Sequence, residues 1–273
     1  MSKQRPAAVS GRFYPGRIQE LRELVSTLFR GAAEGVLSEA RAVVLPHAGY
    51  AYSGRTAALA LSRIVVPERI IIACPNHTGH GAAMSLWSGG AWQLPTGKVP
   101  VDAALVEALM NATPLELDRD AHLREHAIEV ELPLLQHRQP ALRIASLCLG
   151  PLSLGDCQRL GAGIAAAVRA VESRDTSVLL VASTDMSHYV PAGAARELDA
   201  QALDQMTALD PAGLYATVRR HGISMCGVVP TTTLLYAARA LGATSAELVD
   251  YTNSGERTGD DQNVVGYASV IVY

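Results

Sequence analysis

The chain has 273 residues, 49% hydrophobic and 18% charged, with a formal net charge of -3. That mix lies in the range of folded globular chains, and the scattered Lys and Arg exclude a basic stripe that would neutralise phosphates, so nucleic acid is not an expected partner. The opening MSKQRPAAVSGRFYPG lacks the apolar stretch of a signal peptide and no segment approaches the roughly 18 apolar residues of a membrane span, which predicts a cytoplasmic protein with no membrane partner.

In chain order, short β-branched runs alternate with helical patterns. RAVVLP at 41–46 and RIIIAC at 69–74 read as buried strands, separated by a helix over 54–66. WQLPTGKVPVD at 92–102 carries Pro-Thr-Gly between extended pieces and predicts a hairpin or a small excursion from the sheet. A helix over 102–111 follows, then strands ALRIASLCL at 141–149 and SVLLVAS at 177–183 on either side of a helix over 153–171. Helices over 192–209 and 228–241 lead to two last strands in AELVDYTNSG and NVVGYASVIVY. Near-continuous apolar strands alternating with helices imply an α/β fold, with a central largely parallel or mixed sheet covered by helices on both faces. With no linker, charge block or repeat, the expectation is a single domain over 1–273.

In open α/β sheets, ligands bind outside the carboxyl ends of the strands. His47 in PHAGY follows the first strand, His77 in CPNHTGHG follows the second, and Asp185 and His188 in STDMSHY follow the fourth. A lone histidine is more often structural than functional. Three at equivalent strand ends point to a pocket of imidazoles, the common ligand for Zn, Fe and Cu and the side chain suited to proton transfer near neutral pH.

Of the four cysteines, Cys74, Cys148 and Cys157 read as reduced core or helix residues, and no CxxC pair is present. Cys226 in ISMCGVVP stands before a helix start, where a thiolate is stabilised. It reads either as a metal-binding or reactive thiol or as a small residue in a tight loop. HLREHAIEVELPLL offers a rival metal site, with His122, His126 and Glu129 at i, i+4 and i+7 on one helical face. Against this, Pro133 is expected to interrupt that helix and Glu129 to serve as a partner behind the ligands or in the structure; the other reading of the segment is that its side chains line the same pocket. GAGIAAA at 161–167 lies inside a helical pattern and reads as helix packing, PTGK is not a phosphate loop, and no G-x-S-x-G nucleophile turn is present.

PHAGYAYSG, PNHTG, EHAIEVELP, STDMSHY, MCGVVP and NVVGYAS, in this order, resemble the Memo family, the B component of the AmmeMemoRadiSam system. The resemblance runs from AVSGRFYPG to the carboxyl terminus. It implies a fold similar to that of the class III extradiol dioxygenases, which use non-haem Fe(II). On that likeness His47, His77 and Cys226 would be metal ligands, His188 the acid/base with Asp185 beside it, and Phe13, Tyr14, Tyr50 and Tyr52 the lining of the pocket mouth. A thiolate in place of the dioxygenase carboxylate admits Cu or Zn alongside Fe(II). The implied partners are a small-molecule substrate, an AMMECR1-like protein and a radical SAM protein. The implied activity is that of a dioxygenase-like oxidoreductase; a non-catalytic binding module and a metal-dependent hydrolase are the competing readings.

Overall fold

The computed structural model describes residues 4–32, 37–173 and 176–273; residues 1–3 of the opening segment lie outside it. The elements run β1 (Gln4–Arg5), α1 (Ile18–Phe29), β2 (Ala42–Leu45), α2 (Tyr50–Leu61), β3 (Arg69–Pro75), β4 (Met84–Trp87), β5 (Ala91–Leu94), β6 (Gly97–Pro100), α3 (Ala103–Ala112), β7 (Glu116–Asp118), α4 (Asp120–Leu123) and α5 (Ala127–Arg138). They continue as β8 (Arg143–Leu149), α6 (Leu154–Val171), β9 (Val178–Ser183), β10 (His188–Val190), α7 (Ala192–Thr207), α8 (Pro211–His221), α9 (Val228–Ala240), β11 (Ala246–Asn253), α10 (Gly255–Thr258) and β12 (Val264–Val272).

The main sheet is mixed, in the order β10-β12-β2-β9-β3-β8-β4-β7, with β11 also paired to β12. Its centre, β2-β9-β3-β8, is parallel. Side chains alternate across a strand, so each central strand feeds two cores. Ile71, Ala73, Val44 and Leu180 face the layer built on α3, α6, α7, α8 and α9. Ile70, Ile72, Val43 and Val181 face the layer of α1, α2, α5 and the small sheet β1-β5-β6. This α/β architecture, with a mixed sheet between helices, is the one expected.

The predicted hairpin is β5-β6, antiparallel from Ala91↔Pro100 to Leu94↔Gly97. The glycine pattern at 161–167 is helix packing: a Cβ on Gly161 would lie 2.6 Å from the Thr233 carbonyl oxygen, so α6 and α9 touch backbone to backbone. Two local expectations are corrected and one helix is new. The second helix starts at Tyr50, four residues early, because Gly49 ends the strand loop and serves as its cap. Helix α1, unread in the sequence, buries Leu21, Val25 and Leu28, an i, i+4, i+7 stripe. Pro133 lies inside α5 without breaking it: the flanking Leu132, Leu134 and Leu135 are buried, and this packing outweighs the one missing N–H.

Candidate metal centre

Because β2, β9 and β3 are neighbouring parallel strands, the residues just beyond their carboxyl ends converge. His47 follows β2, Asp185 follows β9 and His77 follows β3. A third imidazole, His126, arrives at the start of α5. One ring nitrogen from each of His47, His77 and His126 lies within 4.8 Å of the others, and the ring centroids are 4.8 to 5.4 Å apart. His47 is buried, His126 half-buried and His77 open to solvent, so the cluster sits at the floor of an accessible face.

Each ring is anchored through Nδ1. His47 Nδ1 lies 2.8 Å from the Ser183 hydroxyl. His77 Nδ1 lies 2.8 Å from Glu125 Oε1, and His126 Nδ1 lies 3.2 Å from the same oxygen. With Nδ1 held in this way, Nε2 is the nitrogen left for a ligand. Glu125 is fully buried and also accepts the backbone N–H groups of His77, His126 and Ala127. Its carboxyl is held far below the usual range: burial alone would raise it, but the hydrogen bonds from His126 and His77 and their charges prevail. His77 shows the reciprocal shift. Burial pulls it down, and the hydrogen bond to Glu125 with that carboxylate's charge leaves it raised. His47 is pushed well below its ordinary value by burial first and then by His126 and His77, which keeps it a neutral imidazole.

Asp185 is buried behind this cluster. Its Oδ1 accepts the His47 backbone N–H at 2.9 Å and its Oδ2 lies 3.9 Å from His47 Nε2. Burial raises its carboxyl to about 6, with the His47 N–H opposing the shift. The Cys226 sulfur lies 3.4 Å from His47 Nε2 and accepts the Asp185 backbone N–H at 3.2 Å. Burial and the Asp185 charge push its thiol up, so the metal-free side chain stays protonated. Gly227 makes this approach feasible: a Cβ there would strike the Ser183 carbonyl and Thr184, while its N–H is received by the Thr184 hydroxyl at 2.9 Å. His188 Nδ1 lies 2.7 Å from the Met186 carbonyl and 2.9 Å from that of Ser224. Both are acceptors, so Nδ1 donates to them and Nε2 is the ring nitrogen left outside these bonds.

The structure separates residues that the sequence grouped. His122 and Glu129 do not share a face with His126, because α4 ends before Arg124 and a new helix starts at Ala127. Both are fully buried and cannot face a substrate. His122 lies against Trp87 and Trp92. Glu129 is bound to Arg5, to the N–H groups of Ala8 and Val9, and to the Tyr14 hydroxyl. Tyr14 and Tyr50, expected at the mouth, are likewise buried; Tyr50 donates to the Val130 carbonyl at 2.8 Å. Of the expected rim, Phe13 packs on the His126 ring at 4.9 Å and Tyr52 is exposed. Tyr267, which the sequence did not single out, has its phenol pushed up by burial and by the Asp185, Tyr52 and Tyr189 groups near it. Tyr189 is 76% exposed and adopts φ 58°, a strained left-handed backbone directly after His188.

The cluster fits a divalent cation. Three imidazoles with one thiol nearby form a nitrogen and sulfur donor set, with anchored Nδ1 atoms behind it. No helix in the described residues is long and apolar enough to cross a membrane.

A model of the Memo-like protein family matches residues 5–271 of the chain. Similar proteins include a MEMO1 family protein of Methanopyrus kandleri, 38% identical, with 98% of each chain covered. Another, from Methanothermobacter thermautotrophicus, is 37% identical over 97% of this chain and 98% of its own. A third, from Aquifex aeolicus, is 38% identical with 98% of each covered.

Proposed function

This chain belongs to the Memo family, and from that membership and the histidine cluster we propose that it is a non-haem, Fe(II)-dependent oxidoreductase of dioxygenase type acting on a small substrate. The observation that carries the reading is the convergence of His47, His77 and His126 at adjacent strand ends, each ring held by Nδ1. Those three residues would hold the ion, with Cys226 beside His47 as a further donor. A bound Fe(II) supplies Lewis acidity and a one-electron couple for dioxygen chemistry.

The chain's own residues supply the rest. His188, whose Nε2 is left outside the bonds that hold Nδ1, takes a proton from the incoming substrate and returns it to product. Asp185 fixes the backbone of His47 and orients water or substrate beside it. Phe13 covers one side of His126, and Tyr52 and Tyr189 offer exposed rings near the opening. A neutral His47 is in the protonation state that a metal ion requires of an imidazole ligand.

Anaerobic loading with Fe(II), followed by measurement of dioxygen uptake across a panel of catechols and related small aromatics, tests the reading. Substrate-dependent uptake that His47→Ala abolishes is the expected result. Tight metal binding with no uptake for any substrate would instead make the pocket a binding module.

A further inference from the structure

The segment that carries His126 holds three glutamates, and two have evident partners: Glu125 grips His77 and His126, and Glu129 binds Arg5 and Tyr14. Glu131 has no such partner. Its side chain is fully buried in α5, and neither carboxylate oxygen closes a hydrogen bond of ordinary geometry. Native folds rarely leave a buried carboxyl in that condition without a role for it.

The carboxyl lies against the Ser183 hydroxyl, and that hydroxyl is the group 2.8 Å from His47 Nδ1. Ser183 is the last residue of β9, so the row Glu131, Ser183, His47 runs from α5 through the sheet to the site. The titratable groups whose charges reach Glu131 from the elements around it are Asp185, Tyr50 and Cys74; all are acids, and none offsets a carboxylate. Burial, with the Asp185 charge adding to it and Ser183 opposing it, pushes the Glu131 carboxyl well above the usual range.

We propose that Glu131 is a positioning residue for the metal centre, acting through the Ser183 hydroxyl to fix the His47 ring and supplying a negative charge that offsets the bound cation. The inference rests on the reading of His47 as a ligand. With Nε2 committed to an ion, His47 carries its proton on Nδ1 and donates a hydrogen bond to Ser183 Oγ, and the Ser183 hydrogen is then free to point at Glu131. On metal uptake the proton on His47 Nε2 goes to solvent, the Ser183 proton passes to Nδ1 and the Glu131 proton replaces it on Ser183, so one proton leaves in all and the carboxylate accepts the Ser183 hydrogen bond. In the metal-free protein the row runs the other way, from the Glu131 acid proton to Ser183 and from Ser183 to a bare Nδ1. Glu131 thus does for His47, at one remove, what Glu125 does directly for His77 and His126.

The test is Zn(II) affinity of the wild type, Glu131→Gln, Ser183→Ala and the double variant, measured against a chromogenic chelator, with thermal midpoints of the metal-free proteins. Each single change is expected to weaken binding about tenfold to a hundredfold. The double variant should bind no more weakly than the weaker single, because both changes cut one row. Glu131→Asp, which keeps the charge, should recover part of the loss. Wild-type affinity in Glu131→Gln, or effects that multiply in the double variant, would overturn the role of Glu131 while leaving the metal centre standing. So would a loss of affinity that tracks a falling metal-free midpoint and that Glu131→Asp does not rescue. A wild type that takes up no Zn(II) would overturn the metal reading and this inference together.

Discussion

Glu125 holds His77 at two points, with Oε1 lying 2.8 Å from the ring Nδ1 and Oε2 accepting the backbone N–H at 2.7 Å. One buried carboxylate thereby sets both the position and the tautomer of a solvent-facing histidine, and through the N–H of His126 it sets the start of α5 as well. Glu125→Gln replaces an acceptor-only group with one whose amide hydrogens confront those donors. A tenfold to hundredfold loss of Zn(II) affinity is expected, about the usual effect of removing an outer partner of a metal ligand. Calorimetric titration checks it, and an affinity equal to wild type would show that the rings need no such support.

The composition of the ligand set separates two arrangements. If the three imidazoles hold the ion, His47→Ala, His77→Ala and His126→Ala should each come out of metal loading nearly empty, whereas Cys226→Ala should retain an ion of reduced affinity. Element analysis of the four variants after dialysis reads this directly. An empty Cys226→Ala beside a loaded His126→Ala would exchange the two residues' roles.

His188 stands apart from the three clustered imidazoles, with its Nδ1 tied to two carbonyl oxygens. His188→Ala should therefore bind metal as the wild type does and lose about 10² to 10⁴ in turnover, the range for removal of a general acid or base. Metal titration and dioxygen uptake on the same preparation measure both. Unchanged turnover with full metal content would leave His188 a structural residue at the head of β10.

Acid stability should report on His122. Burial first, and the Arg5 charge second, lower its folded-state value to about 3, against 6.5 for the free side chain. Between those limits the unfolded chain binds a proton that the folded chain refuses, so stability is complete above pH of roughly 6.5 and declines as pH falls toward about 3. The slope from this one group approaches about 1.4 kcal/mol per pH unit at its steepest. His122→Leu removes it. Urea unfolding at a series of pH values from 7 to 4 (on the order of six points suffices) should give a shallower acid limb for the variant; parallel limbs would show that His122 is not the group that titrates.

By itself the sequence determined the features that local periodicity controls. Short β-branched apolar runs such as RIIIAC read as strands buried on both faces, their alternation assigns Ile70 and Ile71 to opposite layers, and residues just after such strands, His47, His77 and Asp185, are expected at one edge of the sheet, where the structure places them. The tertiary structure decided which further side chains meet them. His122, His126 and Glu129 look equivalent at helical spacing, yet the Glu125 carboxylate accepts the N–H groups of His126 and Ala127 and so begins a new helix, which turns His126 toward the site and leaves its two neighbours in the core. Tyr14 and Tyr50 look like rim aromatics until Glu129 and the Val130 carbonyl claim their hydroxyls. Those partners lie 115 and 80 residues away along the chain. Periodicity says which face a residue occupies within its own element, but the order and angle at which elements pack fix which distant donor finds which acceptor, and these are properties of the assembled core.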